Sequence, residues 1–255
     1  MGKMLSDTGQ VMLVVQAAVA KVKKYAVSES GDTVEMIERP GGGLSFVLAD
    51  GQRSGRSAKI VSNIVARKVI SLLAEGVRDG ATARAAHDYL RVQRGGKVSA
   101  DLVILSVDLQ THTLVVSRNT RCPVALMIED TFILFDDPSS PIGMGTGVRP
   151  TIREWPLQDR MSVLAFSDGL LDAGRREGKH VPYEDILRQF HQQDGRNAQQ
   201  LADTVLQAAL ALDAGRPVDD TTVVALTVYK EPHADEVRRL HVQFPVPPVL
   251  HSLGI

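Results

Sequence analysis

Residues 44–51 read LSFVLADG, and residues 163–169 read VLAFSDG. In each stretch an apolar run of strand length ends on a carboxylate, Asp50 or Asp168, and a glycine follows at once. An ionised carboxylate at the end of a buried strand is costly unless something compensates it. A turn offers one compensation, because Asp accepts backbone N–H bonds and Asp-Gly is an ordinary turn dipeptide. For either copy alone that reading suffices. Two further acidic positions have the same setting: Asp32 opens the run DTVEMI, and Asp219 with Asp220 precedes TTVVALTV. Four carboxylate positions at strand ends could converge on one rim of a sheet structure. Converging carboxylates repel one another, so they stay ionised together only around cations. Ligation by oxygen alone points to a hard ion such as Mg²⁺ or Mn²⁺.

Working outward, strand-length apolar runs dominate the chain, at 11–20, 33–38, 44–49, 102–108, 113–117, 123–128, 131–135, 151–155, 161–166 and 222–229. They are rich in Val, Ile and Leu and punctuated by Gly, Asp, Asn or Pro. Short polar links, DLQTHT at 108–113 and the pair Glu129-Asp130, favour sequential antiparallel pairing over a βαβ alternation. The triple glycine 41–43 reads as a hairpin turn, since a strand rather than a helix follows it. Helical periodicity marks 57–75, with Gly76 placed to stop it, and 81–93. Two more helices are expected later: one at 181–190, with Pro182 in its first turn, and one at 197–212, with Asn197 as N-cap. Two helices before the middle hairpins and two after them predict an α+β fold. The expected form is a four-layer α-β-β-α sandwich, two mainly antiparallel sheets with helix pairs on the outer faces.

The 255 residues, 44% hydrophobic and 23% charged with a formal net charge of −1, can bury a full core and carry no basic nucleic-acid footprint. A small molecule or another protein is the expected partner, with neither nucleic acid nor membrane. Cys122 is the only cysteine, which rules out an internal disulfide and a cysteine zinc cluster and fits a cytoplasmic setting. VMLVVQAAVA (11–20) reads as a first strand rather than a secretory core, because Asp7 and Gln10 occupy the would-be basic region and Gln16 interrupts the apolar run. MGKMLS (1–6) fits an N-myristoylation pattern. The last 25 residues are proline-containing and cannot form a regular helix or central strand throughout. Residues 1–230 are therefore expected to form the main domain, and 231–255 an extension.

Six segments in order carry a resemblance: SGDTVE (30–35), LADGQRSGRSAK (48–59), LSVDLQTHTLVVSRNT (105–120), SSPIGMG (139–145), LAFSDGLLDAG (164–174) and VDDTTVV (218–224). Together they resemble the bacterial metal-dependent serine/threonine protein phosphatases of the type 2C fold, in the branch of sporulation stage II protein E and RsbX. The resemblance implies two divalent cations, Mn²⁺ or Mg²⁺, and a phosphorylated protein substrate. Among relatives that substrate is a STAS-type anti-sigma antagonist in a partner-switching pathway. It further implies that Asp50 bridges the two ions, that the Gly51 carbonyl ligates one, that Asp168 and Asp219 hold the first and that Asp32 serves the second. Asp50, Asp168 and Asp219 would be the catalytic carboxylates. Glu35 stands where relatives often have another acid, and Asp220 is expected to support the ligands from behind.

Two departures stand out. No arginine precedes Asp32 to grip a phosphate, which leaves Arg53 and Arg56 as the nearest candidates by sequence, each equally readable as a solvated loop charge. Where relatives often carry Asn-Ala-Gly-His, this chain has Arg118-Asn119-Thr120-Arg121, so Asn119 is expected only to cap or turn the chain. His87, His112, His180 and His191 read as surface residues, and Cys122 as a small buried side chain. The alternative to an enzyme is a non-catalytic module that keeps the fold to hold a regulatory partner. A third reading, a dinucleotide- or nucleotide-binding α/β domain, needs a G-x-G-x-x-G or a P-loop after a strand, and the chain has neither.

Overall fold

The computed structural model describes residues 11–193, 195–232 and 236–246. Each apolar run named above forms a strand. One sheet has the order β1 (Met12–Val22), β10 (Thr221–Glu231), β9 (Met161–Phe166), β6 (Val124–Ile128) and β7 (Thr131–Phe135). The other has the order β2 (Asp32–Glu38), β3 (Gly43–Gly51), β4 (Ala100–Asp108), β5 (Thr113–Asn119) and β8 (Thr151–Pro156). Every pairing within them is antiparallel.

Side-chain alternation along the strands sorts the core into three layers. Between the sheets, Leu48, Val103, Leu105, Val116, Leu126, Val163, Val224 and Leu226 interlock. On the far side of the β2–β8 sheet, α1 (Gly55–Ala74) and α2 (Asp79–Arg94) cover Val47, Ala49, Leu102 and Ile104. On the far side of the β1–β7 sheet, α4 (Tyr183–Gln193) and α5 (Ala198–Leu212) cover Ala125, Leu164, Val223 and Ala225. The result is the α-β-β-α sandwich read from the sequence. The short α3 (Gly169–Asp172), one turn after β9, is an addition to that reading.

Local chemistry explains the element ends. Asn197 caps α5 by accepting the Gln200 N–H at 3.0 Å. Gly76, in the left-handed region at φ +82°, closes α1 with its N–H on the Leu73 carbonyl. The β2–β3 turn runs through Gly41, Gly42 and Gly43, all at positive φ, as a hairpin needs. Residues 236–246 form neither helix nor strand and are exposed, and Arg238 pairs with Glu38 at the end of β2. The MGKMLS pattern and the end of the extension lie outside the described residues. Among the described residues no helix is long and apolar enough to cross a membrane.

Two histidine expectations are overturned. His87 and His191 are buried, while His112 and His180 are exposed. Helical spacing is the reason: His87 falls on the α2 face of Ala83, Ala86 and Leu90, and His191 stands one turn after Leu187 in α4. His87 Nδ1 accepts the Gly143 N–H at 3.0 Å, tying α2 to the loop before β8. Cys122 is buried, as expected.

Candidate metal centre

Antiparallel register sets three aspartates side by side. Asp32 pairs with Asp50 across β2 and β3, and Asp50 pairs with Asp101 across β3 and β4. Asp50 shares a face with Leu48, and Asp101 with Val103 and Leu105, so the row opens between the sheets. The opposite sheet contributes Asp168, two residues beyond β9, and Asp219, two residues before β10. The sequence reading names four of these five positions. It misses Asp101, although ADLVILSV (100–107) shows the same signal as Asp32, an acid opening a buried strand.

The two sheets are joined at this rim through Asp32, which is fully buried. Its Oδ2 accepts hydrogen bonds from Ser167 Oγ at 2.8 Å and Thr222 Oγ1 at 2.5 Å. Its carbonyl accepts from Lys21 Nζ at 2.6 Å and from Lys59 Nζ, on the first turns of α1, at 2.7 Å. Asp32 Oδ1 is buried with no hydrogen-bond partner. Asp220 is structural support: its two oxygens accept the backbone N–H groups of Lys24 and Gly31, each at 2.9 Å. Asp219 lies 3.6 Å from Lys24 Nζ. Glu35 is exposed and on the opposite strand face from Asp32, the face that turns toward α1. It does not join the acids.

Two glycines let the backbone close around the row. A Cβ on Gly51 would come within 2.1 Å of the Ala58 carbonyl in α1, and one on Gly169 within 2.1 Å of the Asp220 carbonyl. The Gly51 backbone can therefore lie flush against α1 directly after Asp50.

Electrostatics agree with the geometry. Burial pushes the Asp50 carboxyl up to about 11, reinforced by the charges of Asp32, Asp168 and Asp101. Burial likewise pushes Asp32 up to about 6, against its hydrogen bonds from Thr222 and Ser167, and Asp101 up to about 6, against its bond from Thr120. Asp168 is raised by burial and then by Asp219. Burial and the neighbouring Lys59 charge lower the Lys21 ammonium to about 8.

Donor chemistry fits hard divalent cations: carboxylate and carbonyl oxygens only, one of them an orphaned buried carboxylate oxygen. Among the described residues no three His, Cys, Asp or Glu side chains are already drawn around one point as an ion cage. The acids share an opening, and their carboxyls are raised first by burial and then by one another's charge, both of which bound cations would offset.

The Arg118–Arg121 segment is structural at its start. Arg118 is buried over the Phe135 ring and donates to the carbonyls of Cys122, Thr120 and Asp137. Asn119 Nδ2 donates to the Ser140 and Arg149 carbonyls, holding both ends of the loop that precedes β8. Arg53 and Arg56 are exposed.

A double antiparallel sandwich flanked by helix pairs, with aspartates gathered at one rim between the sheets, defines the type 2C phosphatase class. Residues 40–229 match the family model of stage II sporulation protein E (SpoIIE), and the chain belongs to that family. Among solved structures it is similar to the type 2C phosphatase domain, with a regulatory fragment, of SpoIIE from Bacillus subtilis. There the TM-score is 0.70 at 19% identity, over 87% of this chain and 65% of that one. RsbX in complex with magnesium gives a TM-score of 0.66 at 15% identity, over 86% of this chain and 100% of that one. The catalytic domain of the serine/threonine phosphatase PstP with two manganese ions gives 0.65 at 19%, over 86% and 100%. No curated protein matches the sequence.

Proposed function

We propose that this chain is a metal-dependent phosphatase that hydrolyses phosphoserine or phosphothreonine in a protein. The observation that carries the reading is the Asp32–Asp50–Asp101 row facing Asp168 across the rim, a gathering of carboxyl groups, from the fully buried Asp32 to the exposed Asp168, that no core needs for stability. In this reading Asp50, with the Gly51 carbonyl, would be a shared ligand of two divalent ions, Mn²⁺ or Mg²⁺. Asp168 and Asp219 would hold the first ion, and Asp32 would hold the second. When bound, the ions supply charge neutralisation for phosphoryl oxygens and lower the pKa of water, the requirements of direct in-line hydrolysis. The chain's own residues set the geometry. Ser167 and Thr222 orient Asp32, Asp220 fixes the backbone at Gly31, and Lys59 ties α1 to the Asp32 carbonyl. No side chain is required as a covalent nucleophile, and the buried Cys122, whose thiol burial holds well above its usual value, is unsuited to be one.

Residues 1–230 would constitute the phosphatase domain and 231–255 an appended segment. The family supports a substrate within a regulatory partner-switching circuit, such as a phosphorylated STAS-type protein, in the cytoplasm. The test is hydrolysis of an aryl phosphate with Mn²⁺, with Mg²⁺ and with chelator, beside Asp168→Asn. Turnover that needs the metal and falls at least a hundredfold in the variant is expected. Metal-independent turnover, or none from the folded protein with any phosphoprotein, refutes the reading and leaves a binding module.

A further inference from the structure

An opening lined by five aspartates repels the phosphate dianion it is meant to receive, even when cations neutralise part of that charge. A fixed cation outside the ligand set would offset this, and an arginine does so with two parallel N–H donors. Most cations near the rim are already engaged. Arg118 spends its donors on buried carbonyls, Lys21 and Lys59 converge on the Asp32 carbonyl, and Lys24 faces Asp219. Arg121 differs. It is exposed and, among the described residues, has no hydrogen-bond or ion-pair partner.

The turn that carries it is held tightly. Thr120 Oγ1 donates to Asp101 Oδ2 at 2.7 Å and accepts the Cys122 N–H at 3.0 Å. From below, Arg118 Nη2 grips the carbonyls on either side of Arg121, those of Thr120 at 3.2 Å and Cys122 at 2.7 Å. The turn is thus bolted to Asp101, which stands opposite Asp50 in register. Among the charges acting on Asp101, that of Arg121 outranks that of Arg118. Neither Arg53 nor Arg56 figures among the leading influences on Asp32, Asp50, Asp101 or Asp168.

We propose that Arg121, presented on the pinned 118–122 turn beside Asp101, is the residue that binds the substrate's phosphoryl group. The proposal rests on the phosphatase reading and locates the phosphate on the β4–β5 side of the rim. It also gives the 118–121 segment a role, in which Arg118 and Thr120 make the turn rigid so that the Arg121 backbone is fixed beside the rim before substrate arrives.

The experiment uses the full chain loaded with Mn²⁺. Steady-state kinetics on p-nitrophenyl phosphate and calorimetric binding of inorganic phosphate are compared for the parent, Arg121→Ala, Arg121→Lys, Arg53→Ala and Asp50→Asn. Arg121→Ala is expected to raise KM and weaken phosphate binding about tenfold or more, the worth of a charge-assisted hydrogen bond. Its Mn²⁺ half-saturation should not change, Arg121→Lys should recover part of the loss, and Arg53→Ala should change neither constant more than about twofold, as befits a solvated loop charge. Unchanged KM and phosphate binding in Arg121→Ala, with turnover abolished by Asp50→Asn, overturns the Arg121 assignment and leaves the phosphatase reading standing. If no variant turns over substrate, phosphate binding still decides. Binding lost with Arg121 supports the grip in a non-catalytic protein, and binding equal in both, or absent from the parent, overturns it.

Discussion

Asp50 shows how much one side chain can depend on what surrounds it. Held at about 11 by burial and by three neighbouring carboxylates, it keeps its proton at neutral pH until a cation takes the proton's place. Mn²⁺ binding near pH 7 should therefore release about one proton. Calorimetry in buffers of different ionisation enthalpy reads that number, and apparent affinity should tighten from about pH 6 to about pH 8. The sign for stability follows from Asp32 and Asp101, raised from an ordinary 3.8 to about 6. A carboxyl whose folded pKa is raised favours the folded state below its unfolded value and loses that advantage as pH climbs through the folded one. With chelator present, Tm should accordingly fall between about pH 4 and about pH 6.5, and Mn²⁺ should restore it. The sequence shows the acids but not their partners. Asp32, Asp50, Asp168 and Asp219 are readable as carboxylates at strand ends. Asp101 carries the same mark, but its role depends on register with Asp50, which no local pattern supplies. Ser167 and Thr222 give no signal at all, since a hydroxyl beside a strand is meaningful only once the opposite sheet is in place.

At the scale of elements, periodicity is sufficient for the strands and the four long helices. It also explains where the reading of side chains fails. His87 and His191 lie on apolar helix faces that the pattern itself defines, and position outweighs residue type there. A polar link between α2 and its sheet is likewise invisible in the sequence. Asp79, at the first turn of α2, accepts from Arg39 at 3.2 Å and from Ser106 Oγ at 2.7 Å, and Ser106 in turn meets Ser45 at 2.7 Å. Arg39 and Asp79 are nearly buried, so removing one strands the other. Asp79→Ala should cost about 3 kcal/mol, measured as a shift of the denaturant midpoint. It should leave Mn²⁺ affinity unchanged, because the link lies on the helix side of the sheet.

For the whole molecule, the arrangement of layers follows from composition and order: runs of strands with helices in two pairs leave little choice but a sandwich with both outer faces covered. The pairing of β1 with β10 is a different matter. Their register runs from Met12 opposite Glu231 to Val22 opposite Thr221, and it joins segments from the two ends of the fold. No local pattern predicts it. It also has a bearing on synthesis. While the polypeptide is still emerging from the ribosome, the first strand made must wait for the last before it has its neighbour in this fold, and one sheet stays open until then. A chain stopped after Arg216 should accordingly fail to give a soluble, cooperatively melting product, and circular dichroism with a thermal scan would show it. The same wait governs the rim: Ser167 and Thr222 reach Asp32 only when the second sheet closes on the first. A nascent chain therefore cannot complete the Asp32 corner of the rim until β10 has been made.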